Sequence, residues 1–393
     1  MSAPLRPASE ADLVDLLSSA VASKTPLAPM GLGTKAGVGR PVNHAVLDLR
    51  GLAGVVDYEP NELILTVRAG TPVDEVITLL AKNGQELPFE PPTWQGPDGS
   101  PGRGTIGGLV MTNFSGSRRI KAGAVRDHVL GVRAISGRAE AFKAGGKVVK
   151  NVTGYDLSRG LCGSWGTLAV LSEVTFKVLP KAEHEATIVV PDLALPEAIA
   201  VMTGAMQQSF DVSSAAHLPD GRTLIRIEGF EASVKARVGH AHLFLAGRSG
   251  IEVVEGASSR DFWRLLNEIP VTEARASVLW RISATPSQAV ALTAAIRSAL
   301  ARLSPRFTYD WSGGLIWLAL DVADGDLGAA CIRAALAANG GGHATLIRGP
   351  IEARGRIDVF QPQPPALAAL SRRLKSQFDP EGILNPGRMS AEG

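Results

Sequence analysis

The run Gly31-Leu32-Gly33-Thr34-Lys35-Ala36-Gly37 constrains this chain more than any other stretch. It follows a short apolar segment, Pro26 to Met30, that reads as a strand. A G-x-G after a strand invites a Rossmann-type dinucleotide loop, with Ala36 as the tolerated third small residue. Gly37, Gly39 and Pro41 then exclude the helix that such a loop must feed, so no helix N-terminus is available for a pyrophosphate. The remaining functional use is a concave backbone loop. Consecutive N–H groups turn toward an anion, and the glycines remove the Cβ atoms that would block its approach. Thr34 adds a hydroxyl donor and Lys35 a charge. An ordinary surface turn would have the same composition.

Bulk properties narrow the partners. The chain has 393 residues, 45% of them hydrophobic, and a formal net charge of +2. That supports a large core and two or three domains. Basic and acidic residues are interspersed, so neither a nucleic-acid nor a membrane-surface role has an electrostatic footprint. Cys162 and Cys331 are the only cysteines and make no disulfide framework, metal motif or iron–sulfur motif. No apolar run is long enough to span a bilayer and no signal pattern opens the chain. A cytoplasmic protein without a transmembrane segment is expected.

Along the chain, a helix is expected over Ser9 to Val21, capped by Ser9 with Asp12 three residues on. Strands follow at Ala45–Leu49 and Glu62–Arg68, and a helix opens at Pro72 with Thr71 as its cap. Residues 84–105 read as loop. A strand–turn–strand runs from His128 to Ala141 around Gly137, and a strand runs from Gly166 to Leu179. A second unit starts near Lys181. Its segments 186–254 and 276–348 share the order strand, helix, strand, strand, helix, strand, which predicts a duplicated α+β module with an antiparallel sheet. A helix over Pro365–Phe378 leads into the tail Phe378 to Gly387.

Two further glycine-rich segments accompany the first loop. Gly104-Thr105-Ile106-Gly107-Gly108 opens a helical stretch, Leu109 to Phe114, with Thr112, Asn113, Ser115 and Gly116 at its end. Lys150 to Leu157 and Gly163 to Val170 form the third. In this order, residues from about Pro26 to Pro180 resemble FAD-binding domains of the vanillyl-alcohol oxidase/p-cresol methylhydroxylase (PCMH) type. Lys150–Leu157, Gly163–Val170 and the tail resemble the glycolate oxidase and D-lactate dehydrogenase branch, and within it the smaller FAD-binding subunits of bacterial glycolate oxidases. The resemblance covers the first 180 residues and the last 15; the middle is weakly covered.

The resemblance implies an α+β fold: a two-lobed PCMH-type FAD-binding domain (lobes about 1–57 and 58–180), an antiparallel-sheet cap domain over 181–355, and a tail, 356–393, returning to the FAD domain. It implies FAD held non-covalently. Pro29, Met30, Gly31, Leu32, Gly33, Thr34 and Lys35 would take the pyrophosphate. Thr105, Ile106, Gly107, Gly108, Thr112, Asn113, Ser115 and Gly116 would line the pyrophosphate and flavin. Gly166 and Val170 would reach the adenosine side, and Asn385 would contact the cofactor or simply cap the turn before Pro386. Dehydrogenases of this branch carry a histidine motif, H-x-G-D-G-N-x-H, for substrate or metal. This chain has only His343 in the corresponding region, so catalytic residues are not assigned. Arg118, Arg119 and Arg348 are candidate carboxylate clamps, and Lys121 and His128 candidate bases. The family's division of labour then implies two partners, a larger FAD-containing catalytic subunit and an iron–sulfur subunit. The alternatives are a stand-alone 2-hydroxy-acid dehydrogenase and a flavin-binding scaffold without turnover.

Overall fold

The computed structural model describes residues 5–147, 154–269, 276–322 and 325–391. It divides into two compact units that do not follow linear chain order. The first comprises Met1–Ser115, Gly123–Lys181 and Pro362–Gly393; the second comprises Gly116–Ala122 and Ala182–Gln361.

The first unit has two lobes, each with its own core. The helix Glu10–Ser23 begins at Ser9, whose hydroxyl accepts from Asp12 N while Asp12 accepts from Ser9 N. It buries Leu13 and Leu17 against Leu27 and Leu47, on the parallel pair Leu27–Met30 and Ala45–Asp48. Tail residues Ile383 and Leu384 complete this core. Leu27 N donates to Ile383 O at 2.7 Å and Asn385 N to Leu27 O at 2.9 Å, so the tail runs along the strand that feeds the glycine loop. Asp48 anchors the lobe: the guanidinium of Arg50 above all, with that of Arg6, holds its buried carboxyl far below the usual carboxylate range.

The second lobe is a five-stranded antiparallel sheet in the order Val55–Glu59, Ile64–Arg68, Ala169–Lys177, Val129–Ser136, Ala141–Gly145. The alternation of Leu63, Leu65 and Val67 predicts one buried face. In the structure Ile64 to Val67 are all buried, in a strand that runs between Val55–Glu59 and Ala169–Lys177. The helices Val73–Ala81 and Ile106–Thr112 pack on its core. Thr71 does not cap the first of these, which starts at Val73 with no side-chain cap. Its hydroxyl instead donates to Arg68 O at 2.7 Å and accepts from Gly54 N, tying the turn before the helix to a neighbouring loop. The helix expected at Leu109 begins at Ile106, with Thr105 as its cap, and stops at Thr112 because Asn113 is left-handed (φ 54°).

In the second unit the repeated element order becomes one eight-stranded antiparallel sheet. Its order is Glu252–Glu255, His184–Val190, Thr223–Gly229, Val212–His217, Arg306–Asp310, Leu315–Leu320, Val278–Ser283, His343–Arg348. Each half is built the same way: its first strand lies between its third and fourth, and its second strand faces the other half. Within the sheet the halves are joined where His217 pairs with Tyr309. Helices Leu195–Met206, Ala289–Ala299 and Ala329–Ala338 cover the core. The segment Gly116–Ala122 is clamped to this unit. Ser117 Oγ donates to Asp310 Oδ2 at 2.6 Å, Arg118 pairs with Glu228, Lys121 pairs with Asp211, and Trp311 Nε1 donates to Gly116 O.

Candidate functional site: a glycine-lined cradle around Lys35

The strand Leu27–Met30 delivers the chain into the glycine loop, which closes through Ala36 N to Gly33 O (2.9 Å) and Val38 N to Lys35 O (3.1 Å). Gly33 has φ +70°, a conformation that disfavours any side chain. A Cβ on Gly31 would meet Thr105 Oγ1 at 2.2 Å, and one on Gly104 would meet Thr34 Oγ1 at 2.5 Å and Lys35 Nζ at 3.2 Å. The first and second glycine-rich segments therefore lie against each other. They touch through glycines on one side and the polar side chains of Thr34, Lys35 and Thr105 on the other. The tail braces the outside: Arg388 donates to the carbonyls of Lys35 and Ala36, and Arg40 N donates to Arg388 O.

Lys35 is the electrostatic centre. It is 8% exposed, and burial pulls its ammonium down to about 7. Its Nζ donates to Arg103 O at 3.0 Å and Thr34 Oγ1 at 3.3 Å and lies 5.4 Å from the Trp94 ring centroid. No carboxylate pairs with it among the described residues. Trp94 itself is 3% exposed, and its indole N–H has no acceptor among the described residues. A buried ammonium without an anion costs several kcal/mol, and a buried donor without an acceptor about 1–3 kcal/mol. Both are relieved by an acceptor-rich anion such as a pyrophosphate. The residues present therefore fit a dinucleotide cofactor.

The other expected site residues divide. Asn385, Gly166 and Pro29 come together: Asn385 Nδ2 donates to Trp165 O at 2.9 Å, and a Cβ on Gly166 would meet Asn385 Nδ2 at 3.3 Å and Pro29 at 3.7 Å. Met30 precedes the loop and Leu32 lies within it, 38% exposed. Thr112 turns its hydroxyl to Gly108 O, and Asn113 Oδ1 and Ser115 Oγ accept from Arg126 N and Val125 N. The N–H groups of Ile106 and Gly107 donate to Thr71 O and Ala69 O, and a Cβ on Gly107 would press on Ala69. Val170 is 1% exposed in the tail core, paired with Ile135. Ile106, Gly107 and Val170 thus take part in packing. Gly116 falls in the second unit, its carbonyl taken by Trp311. Lys150 to Thr153 lie outside the described residues.

Trp94 was not legible as a site residue, because residues 84–105 read only as a Pro/Gly-rich loop. An aromatic in such a loop, a few residues before a glycine motif, was the available signal. The candidate substrate groups are otherwise engaged. Arg118 and Lys121 have carboxylate partners, Arg119 lies 4.3 Å from the Trp311 ring centroid, and buried His128 packs on Phe89. Arg348 sits in the strand His343–Arg348, and His343 is exposed at its start. No group of three or more metal-ligating side chains occurs among the described residues, and none of their helices is long and apolar enough to cross a membrane.

Comparison with known proteins agrees with this geometry. Residues 2–145 match the family model described as an FAD binding domain. A solved alkyldihydroxyacetonephosphate synthase superposes with a TM-score of 0.71 at 14% identity, covering 97% of this chain and 76% of that one; the likeness is one of fold. Fold and cradle together define an FAD-binding flavoprotein. The glycolate oxidase subunit GlcE of Escherichia coli is 37% identical over 97% of both chains. The glycolate oxidase subunit GlcD of Bacillus subtilis is 26% identical over 99% of this chain and 89% of its own. The chain belongs to the glycolate oxidase subunit family of FAD-dependent oxidoreductases, and FAD is its cofactor.

The FAD should be held without a covalent bond. No Cys or His stands in Gly31–Gly37 or Gly104–Gly116. Cys162 donates to Ser158 O, and desolvation pushes its thiol up to about 12, far from a reactive thiolate. Acid or heat precipitation should release yellow FAD into the supernatant. Colour that stays in the washed pellet would contradict this.

Proposed function

We propose that this chain is the smaller FAD-carrying subunit of a multi-subunit 2-hydroxy-acid oxidase acting on glycolate. It works with a larger FAD-containing catalytic subunit and an iron–sulfur subunit, relaying electrons or supporting assembly. The observation that carries the reading is the buried Lys35, without a carboxylate partner among the described residues, close to the Trp94 indole, whose N–H has no acceptor among them, where Gly31, Gly33 and Gly104 bring two backbone segments together.

In this reading FAD supplies the redox chemistry when bound, and the protein supplies position and field. Gly31, Gly33 and Gly104 let the backbone approach the pyrophosphate, Lys35 neutralises it, and Thr34 and Thr105 add hydroxyl donors. Asn385 holds the tail against Gly166 on the neighbouring wall of the cradle. The substrate side is assigned to the larger subunit. Oxidising a 2-hydroxy acid needs a clamp for its carboxylate and a base for its hydroxyl proton. Two of the groups suited to that work here, Arg118 and Lys121, are tied to Glu228 and Asp211.

Co-production of the larger flavoprotein and iron–sulfur chains with and without this chain tests the assignment. Glycolate-dependent dye reduction should need all three. Full activity from the other two alone would refute a subunit role.

A further inference from the structure

The helix Pro365–Phe378 is 14 residues long and buries none of them. It is held at its C-terminal end. Lys375 Nζ donates to Thr167 O and Leu384 O, Phe378 packs on Phe142, and Gly137 N donates to Phe378 O. The half-buried positions Ala368, Ser371, Lys375 and Phe378 mark the face turned to the first unit. Leu367, Leu370 and Leu374 are 48%, 59% and 43% exposed. At about 100° per residue they form one stripe along the helix flank, beside the inward face rather than opposite it. Each of the three leaves about half of its surface to solvent.

We propose that this stripe is the docking surface for a partner subunit that presents an apolar ridge edged with carboxylates. The inference rests on the subunit reading above. Charge selects the occupant. Every charged residue within the helix is basic; Lys375 faces inward and pairs with Asp379, while Arg372 and Arg373 stand on the exposed faces. Arg373 borders the stripe on its outer side, and Arg138 reaches the carbonyl of Gln377 at its end. Pairing with a second copy would set basic rim against basic rim. A bilayer would need the apolar face directed outward, where this helix carries Ala366, Arg373 and Gln377 instead. An acidic-edged protein ridge satisfies both the leucines and the arginines.

The test uses the full chain loaded with FAD, in wild-type form and as the Leu367→Gln, Leu370→Gln, Leu374→Gln triple variant, with Leu370→Gln and Arg373→Glu as single variants. Each is mixed with the purified larger flavoprotein and iron–sulfur subunits and passed over a size-exclusion column. Wild type should co-elute. The triple variant should keep its FAD and far-UV spectrum but lose at least about tenfold in affinity, and each single variant should weaken binding several-fold. Should the triple variant fail to fold, the single variants decide. Equal co-elution of wild type and variants overturns the docking surface while leaving the subunit reading intact. No co-elution of wild type overturns that reading and this surface with it. Two further arms use wild type alone. Sedimentation with 3:1 phosphatidylcholine:phosphatidylglycerol vesicles that the triple variant loses would assign the stripe to lipid. A dimer in sedimentation velocity that the triple variant loses would assign it to a second copy. Either result overturns the proposal.

Discussion

Replacing Gly31 by valine is expected to give a folded chain that no longer retains FAD. A Cβ at this position would lie 2.2 Å from Thr105 Oγ1 and 2.6 Å from Thr105 Cγ2, so the two glycine-rich segments must part to admit it. The cradle they form together is then lost. The two lobe cores do not include Gly31, so the fold should survive. Losing close backbone approach to a pyrophosphate should cost more than about 3 kcal/mol, an increase in Kd of ~100-fold or more. Gly37 provides the control. It belongs to the same loop, has no positive φ, and a Cβ there would meet nothing within 4 Å. Gly37→Ala should bind FAD as wild type does. Fluorescence titration of the apo forms with FAD reads both. Tight binding by Gly31→Val would reduce the loop to a turn.

The second large effect is a pH dependence set by Lys35. Desolvation in the cradle pulls its ammonium down to about 7, against an ordinary value of 10.5. A pyrophosphate beside it favours the charged form and raises it. Binding FAD above pH 7 must therefore take up a proton, and Kd should rise by up to about tenfold per pH unit from about pH 7 upward, while staying flat below. Stability of the apo protein runs the other way. The folded value is depressed below the unfolded one, so the unfolded chain binds more protons between pH 7 and 10.5 and apo stability rises with pH there. The increase in Tm produced by FAD should consequently shrink between pH 6.5 and 9. Lys35→Met should weaken binding by about 10- to 100-fold at pH 7 and abolish the slope. A slope unchanged in that variant would place the titrating group elsewhere.

Much of this was legible from short-range physics. Ser9 with Asp12 marked a helix start, and the repeated element order of the second unit marked a sheet built twice. Gly37, Gly39 and Pro41 excluded a helix after the first loop. The chain in fact continues there through turns braced by Arg388, more than 300 residues away in sequence. What local pattern could not show depends on distant partners. Thr71 looks like a helix cap until Gly54 arrives beside it. Gly107 also gives room to Ala69, and Val170 lies in the core that the tail completes, contacts that local pattern does not show. Gly116 closes the second glycine-rich segment in sequence, yet Asp310, Glu228 and Asp211 hold the stretch Gly116–Ala122 within the second unit. Trp94 gave no periodic signal, and only the burial of its indole N–H beside Lys35 marks it.

As proposed above, this chain holds FAD but leaves the substrate site to a partner. The most direct test is an anaerobic spectrum of the purified, FAD-replete chain as excess glycolate is added, followed by dithionite. The flavin band should be unchanged by glycolate and fully bleached by dithionite, with glycolate bleaching appearing once the partner subunits are added. Rapid, saturable bleaching by glycolate in the chain alone would contradict it and establish a stand-alone dehydrogenase.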